Sequence, residues 1–300
     1  YRTDNMNESL SFVGDKASFA VASIKDDTHS FIAYYDDTML EAAIKYKTIV
    51  DEFDDAIKAG EFKMYLQPQI SAKTRRLTGA EALVRRIKPD GTIISPIDFI
   101  PVYEKSGLIS RLDRYIWEQA AAKLGEWKKA GINMSISVNI SPKDFYYIDI
   151  FNTFAGLIKK YDIEPSNLKI EITETTIMSD VPNLMGELEE LRKAGFTLEM
   201  DDFGSGYSSL NTLKDINVDV LKVDMGFIKE TKNVKKSRII LASVIKMAKE
   251  LNLLIITEGV ETEEQVDNLT KLGCDVFQGY YFSKAIDVNE FEKRYRYRKK

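Results

Sequence analysis

From Phe62 onward the chain alternates short β-rich runs with helical stretches, and this alternation restricts the folds open to it more than any other feature. The β-rich runs are Lys63–Ile70, Ala80–Val84, Ser135–Asn139, Leu168–Ile172, Thr197–Asp201, Val220–Val223, Leu253–Thr257 and Val276–Gly279. Helical periodicity fills most of the gaps, at Arg111–Ala130, Phe145–Tyr161, Leu184–Ala194, Ser237–Leu251 and Glu263–Leu272. Several of these stretches run into a glycine (Gly131, Gly195, Gly273), a common helix stop signal. Strands alternating with helices build a parallel sheet, and eight such strands in about 240 residues predict a closed α/β barrel. One connection departs from the pattern. Ser71–Gly79 is too short for a helical crossover, which takes about a dozen residues or more. The first strand is therefore expected to pair antiparallel with the second, giving a modified TIM (β/α)8 barrel.

The opening segment stands outside this scheme. Asp15–Lys25 predicts a short helix, Ser30–Tyr35 a strand, and Asp37–Lys58 a long amphipathic helix leading into the barrel. It carries no catalytic cluster of its own. Residues 1–40 are read as a short α/β fragment left from a preceding domain, 41–60 as a connecting helix and 61–300 as the barrel. The start, Tyr1-Arg2-Thr3-Asp4, has neither an initiator Met nor a signal-peptide pattern, so a piece of a longer protein is expected, one that a missing N-terminal region could anchor to a membrane.

Composition narrows the chemistry. Apolar residues at 44% suffice for a large core, yet no run approaches the roughly 20 apolar residues of a membrane span. Cys274 stands alone, which excludes an intrachain disulfide and points to the cytoplasm. The single histidine, His29, lies outside the barrel, so a His-cluster metal site or a Ser-His-Asp triad there is excluded. A net charge of −5 argues against duplex nucleic acid, whose binding relies on Lys and Arg at phosphates.

What remains is a series of polar residues on successive strands. Glu81 lies in the second run, Asn139 ends the third and Glu171 lies in the fourth; Asp201 and Asp202 close the fifth, Lys222 is in the sixth, Glu258 follows the seventh and Gln278 is in the eighth. The C-terminal strand ends of such a barrel converge on one face, where these enzymes keep their sites. Oxygen donors without His or Cys suit Mg2+ or Mn2+. Converging carboxylates force protonation unless cations separate them, and two metals would also activate a water for in-line attack on phosphorus. Singly, each residue has a plainer explanation: a strand-end carboxylate as a helix N-cap, Lys222 as a surface lysine, Asp202–Tyr207 as a Gly-rich turn. Their joint placement is what argues for a site.

The motifs around these positions carry a resemblance. They are Tyr65-Leu66-Gln67-Pro68-Gln69, Glu81-Ala82-Leu83-Val84-Arg85, Asp98-Phe99-Ile100-Pro101 with Glu104, Ser137-Val138-Asn139-Ile140-Ser141, and Glu171-Ile172-Thr173-Glu174. Then follow Asp201-Asp202-Phe203-Gly204-Ser205-Gly206-Tyr207-Ser208-Ser209-Leu210, Lys222-Val223-Asp224, Glu258-Gly259-Val260-Glu261-Thr262 and Gln278-Gly279-Tyr280. Together they make Phe62–Ala285 resemble EAL domains, bacterial phosphodiesterases specific for cyclic di-GMP.

The resemblance implies that Glu81, Asn139, Glu171 and Asp201 ligate one Mg2+ or Mn2+, and that Asp201, Asp202 and Glu258 serve a second. It implies that Glu258 helps activate the attacking water, that Lys222 holds that water or the scissile phosphate, and that Glu81 and Asp202 belong with them to the catalytic group. Arg85 would hold a phosphate oxygen, Gln67, Leu83, Asp224 and Gln278 would shape the substrate pocket, and Glu174 would anchor the loop starting at Asp202. The product would be linear pGpG, Ca2+ would inhibit, and the chain would form a homodimer. Departures from the family pattern are slight: Thr257 before Glu258, and Met225-Gly226 after Asp224. More weakly, Asp15–Tyr35 resembles the last helix and strand of a GGDEF domain, and Tyr35-Asp36-Asp37-Thr38-Met39-Leu40 its junction with an EAL domain; the Gly-Gly-Asp-Glu-Phe string itself is absent. The alternatives are a catalytically inactive EAL module acting as a cyclic di-GMP receptor and, more distantly, an unrelated metal-dependent barrel acting on sugars or small acids.

Overall fold

The computed structural model describes residues 9–24, 32–204, 213–214, 216–225 and 234–295. Its centre is a closed barrel. The barrel strands are β1 (Phe62–Ser71), β2 (Leu77–Ile87), β4 (Ser135–Ile140), β5 (Leu168–Thr173), β6 (Leu198–Asp201), β7 (Val220–Asp224), β8 (Leu254–Glu258) and β9 (Val276–Phe277). Two short strands, β3 (Ile93–Ile94) and β10 (Ile286–Asp287), pair at its margins. Parallel pairing runs unbroken from β2 through β9. β1 alone is reversed, lying antiparallel to β2 (Tyr65↔Leu83) and to β9 (Ile70↔Phe277). The short connection predicted this reversal, because Ala72–Arg76 can only turn the chain back.

Strand alternation explains what fills the barrel. In β5 the alternate residues Leu168, Ile170 and Ile172 join the hydrophobic core, which leaves Lys169, Glu171 and Thr173 for the other face. β6 repeats this with Leu198 and Met200 against Glu199 and Asp201, and β4 with Ile136, Val138 and Ile140 against Ser135, Ser137 and Asn139. The apolar set packs beneath the helices, and the polar set is turned into the barrel. A one-residue slip would exchange the two faces, so burial of the apolar set fixes the register. The long helix Ile109–Lys129 packs on β4, with Leu112, Ile116, Trp117, Ala120 and Leu124 among its buried residues. Its Trp117 Nε1 donates to the Asn139 carbonyl at 2.9 Å, tying the helix to the end of β4.

Several boundaries differ from expectation. The first helix spans Leu10–Ser23 rather than Asp15–Lys25. Residues 32–36 form no strand, and the remainder of the expected Ser30–Tyr35 strand lies outside the described residues. The expected helix Asp37–Lys58 is interrupted at Glu52, giving Asp37–Asp51 and Phe53–Lys58. The expected helix Phe145–Tyr161 is likewise split into Asp144–Tyr147 and Ile150–Tyr161, because Asp149 turns extended and its carboxylate caps the Asn152 N–H.

Because β1 is reversed, its start lies at the same end as the C-termini of the other strands, with Phe62 opposite Arg86. The helices preceding the barrel therefore reach that mouth. Buried Arg86 joins them to β2, donating from Nε to Glu61 at 2.9 Å and from Nη2 to Glu52 at 2.7 Å. Among the described residues no helix is long and apolar enough to cross a membrane.

Candidate active site

The mouth of the barrel is organised around one lysine. Lys222, in the middle of β7, is fully buried, and its Nζ lies 2.7 Å from Glu258 Oε1, 2.9 Å from Glu171 Oε2, 3.2 Å from Asp201 Oδ2 and 3.7 Å from Glu81 Oε2. Burial disfavours its charge, but the four carboxylates outweigh that cost and hold its pKa well above the ordinary lysine value. The plain reading of Lys222 as a solvated surface residue is thereby overturned.

The carboxylates feel the converse balance. Burial, reinforced by Glu81, raises Glu171 well above the usual carboxylate range although Lys222 opposes it. Burial also lifts Glu258 to about 8 despite the ammonium beside it, with Asp201 and Glu81 adding to the rise. Glu258 is the last residue of β8 rather than the first beyond it.

Glu81, in β2, is held by amides. Gln278 Nε2 donates to its Oε2, and Asn139 Nδ2 lies 3.4 Å from its Oε1. Gln278 sits just past β9 rather than within it, and also meets Gln69 Nε2 at 3.2 Å and Gln67 Oε1 at 3.4 Å. The following Gly279 has φ +156°, and a Cβ there would stand 2.2 Å from the Val260 carbonyl oxygen, so only glycine lets the chain turn this closely beside Glu258. Gln69 had no assigned role, yet it is almost completely buried within this amide cluster.

Asp201 ends β6 and Asp202 begins the loop beyond it. Asp202 adopts the left-handed conformation (φ +56°), with its N–H donating to Asp201 Oδ1 at 2.8 Å. Aspartate tolerates that geometry better than most residues. Partial burial and the neighbouring Asp201 raise its carboxyl pKa. Unlike the other four carboxylates it makes no ion pair with Lys222 among the described contacts. Glu174 is buried at the first turn after β5, and its Oε2 accepts the Gly204 N–H at 3.2 Å. Its bond to the loop backbone replaces the plainer picture of a surface helix cap; Ser205 lies outside the described residues.

The remaining sequence-derived positions rim the mouth. Leu83 and Arg85 line a cavity that also contacts Ile100, Trp117 and Asn139. Arg85 is turned aside, its Nη1 donating to the Val84 carbonyl at 2.7 Å. Asp224 is exposed beside Gly259. One feature was missed: an ion pair of Lys169 with Glu199, 2.8 Å apart and just beneath Glu171. The signal was present, since Lys169 and Glu199 each precede a site residue by two positions and so share its face.

The donor set suits a hard divalent cation, being all oxygen, and Glu171 Oε1 is buried with no hydrogen-bond partner among the described residues. No three carboxylates among the described residues are drawn together closely enough to form a ready metal cage. The ammonium of Lys222 occupies the space between them and supplies the positive charge that their convergence demands.

Comparison with known proteins agrees with this architecture. The EAL domain family matches residues 50–285. The signaling protein YkoW of Bacillus subtilis is 34% identical over 278 residues, 93% of this chain and 35% of its own length. The bifunctional diguanylate cyclase/cyclic di-GMP phosphodiesterase MucR of Pseudomonas aeruginosa is 30% identical over 275 residues, 91% of this chain and 40% of its own. The chain thus spans little more than a third of these relatives. The solved PaMucR phosphodiesterase, in complex with c-di-GMP, superposes with a TM-score of 0.76 at 32% identity, covering 81% of this chain and 99% of that one. Family match and barrel together show that this chain belongs to the EAL domain family.

Proposed function

We propose that this chain hydrolyses cyclic di-GMP to linear pGpG at the mouth of its barrel, with Mg2+ or Mn2+. The observation that carries the reading is the gathering of Glu81, Glu171, Asp201 and Glu258 around buried Lys222, with the amides of Asn139 and Gln278 on Glu81. Relatives named as cyclic di-GMP phosphodiesterases support the substrate.

In this reading Glu81, Asn139, Glu171 and Asp201 would hold one cation, and Asp201, Asp202 and Glu258 would serve a second. Bound there, divalent cations supply positive charge to the phosphate and make a bound water more acidic. Glu258, at the end of β8 and 2.7 Å from Lys222 Nζ, would in its ionised form be placed to take a proton from the attacking water. The water oxygen would attack phosphorus, the P–O3′ bond would break, and the released O3′ would take up a proton to become the free hydroxyl of linear pGpG. Lys222 holds the charges of Glu171, Asp201 and Glu258 in place. Arg85, Leu83, Gln67, Asp224 and Gln278 orient the dinucleotide. Residues 1–40 we read as the tail of a GGDEF-like domain joined through 41–60, an arrangement in keeping with the bifunctional name of MucR.

Incubation with cyclic di-GMP and Mg2+, followed by chromatography, is expected to yield pGpG, and Ca2+ in place of Mg2+ is expected to suppress it. Calcium's longer bonds and higher coordination number misplace the water that compact Mg2+ or Mn2+ octahedra position. A chain that binds the dinucleotide and leaves it intact with both Mg2+ and Mn2+ is a receptor instead.

Glu174→Ala tests the loop contact. A charged acceptor on a backbone N–H contributes about 1.5–3 kcal/mol. Its loss frees the loop that carries Asp202, and a shift near 1 Å costs about a hundredfold in rate. Turnover is expected to fall about that far, with a higher Mg2+ requirement and a small change in melting temperature. An unchanged Mg2+ curve with a lowered melting temperature would assign Glu174 to the fold alone.

A further inference from the structure

Two carboxyl groups lie side by side at the floor of the site. Glu171 in β5 and Glu199 in β6 are directly paired across the parallel strands, so their side chains project from the same face, and both are completely buried. Each has one oxygen engaged. Glu171 Oε2 meets Lys222 at 2.9 Å, and Glu199 Oε1 meets Lys169 at 2.8 Å. The other oxygens, Glu171 Oε1 and Glu199 Oε2, meet no third group among the described residues; the two carboxyl groups face each other, and Glu171 helps Lys169 and Lys222 to lower the Glu199 pKa against the opposing effect of burial.

We propose that Lys169 and Glu199 form a positioning pair beneath Glu171, fixing the orientation in which that carboxylate meets a divalent cation. The inference rests on the metal-dependent reading above and names residues that the strand-end series did not contain. Lys169 clamps Glu199, so Glu199 cannot swing away, and it offers Glu171 an acceptor rather than a donor. Lys222 on the other side draws Oε2. Glu171 is thus oriented from two sides, as ligating carboxylates generally are by the groups behind them.

Two variants separate positioning from mere support of the fold. Glu199→Gln keeps the shape but turns an acceptor into an amide that donates to Glu171. The double variant Lys169→Met/Glu199→Leu removes both charges together, an exchange that buried ion pairs often tolerate without loss of stability. Mn2+ binding without substrate is measured by calorimetry on the parent and both variants, beside turnover and melting temperature. Loss of an outer partner commonly costs about 10- to 100-fold in metal affinity. Both variants are expected to bind Mn2+ at least about tenfold more weakly, with the double variant melting close to the parent. A double variant that binds Mn2+ within about twofold of the parent overturns the proposal, whatever its melting temperature. A parent that binds no Mn2+ overturns the metal-dependent reading itself and this inference with it.

Discussion

Lys222→Met is expected to abolish hydrolysis and to make the protein far less stable at neutral pH. The variant keeps a side chain of similar reach but removes the ammonium that, among the described residues, alone lies within 4 Å of Glu81, Glu171, Asp201 and Glu258 together. Removing one partner of a buried ion pair typically costs about 3–5 kcal/mol, because the charge left behind stays buried without compensation. Four carboxylates share this loss. Glu171 and Glu258, whose proton affinities burial already raises, can then remain buried only by taking up protons, so those affinities must rise further. Burial has already raised Glu258 to about 8 in the parent, from 4.5. A carboxyl group whose folded pKa is raised stabilises the fold below its unfolded pKa and loses that contribution as pH climbs through the folded value. The gap in melting temperature between parent and variant should therefore be small near pH 5 and widen toward pH 8. Turnover should fall by at least about 10³-fold, the upper range for losing one preorganised electrostatic group. Thermal unfolding at several pH values checks the first part and product chromatography the second. A gap that does not change with pH would show that Lys222 contributes packing rather than charge.

Glu81→Gln should remove turnover while leaving the fold and dinucleotide binding largely intact. The carboxylate accepts from Gln278 Nε2 and Asn139 Nδ2. A glutamine oxygen can still accept from Gln278, and its amide nitrogen can face Asn139 once that side chain turns its own oxygen round. The shape and the hydrogen bonds survive; one negative charge of the proposed cation site does not. The expected loss is about 10²- to 10³-fold in turnover. Cyclic di-GMP affinity, read by calorimetry, should stay within a few-fold of the parent. A variant that turns over like the parent would remove Glu81 from the metal shell.

Much of this candidate site is legible in the sequence. Glu81, Asn139, Glu171, Asp201, Lys222, Glu258 and Gln278 stood on or beside successive β-rich runs, and a parallel barrel brings such positions to one mouth whatever their separation along the chain. The reversed first strand was legible for an equally simple reason, since nine residues cannot make a crossover. Period-two alternation in β5 and β6 determined which residues share a face.

The sequence did not say which face would close on itself, and that alone decided the electrostatics. Lys222 reads in isolation as a surface lysine. It becomes the centre of the site only because barrel closure brings β2, β5, β6 and β8 around β7 and excludes water from its Nζ. The partnership of Lys169 with Glu199 depends on the same closure, as does the contact of Glu174 with Gly204, which spans 30 positions in sequence. Local patterns report the period and direction of each segment. Charge, burial and proton affinity depend on distances between segments, and only the tertiary structure sets those.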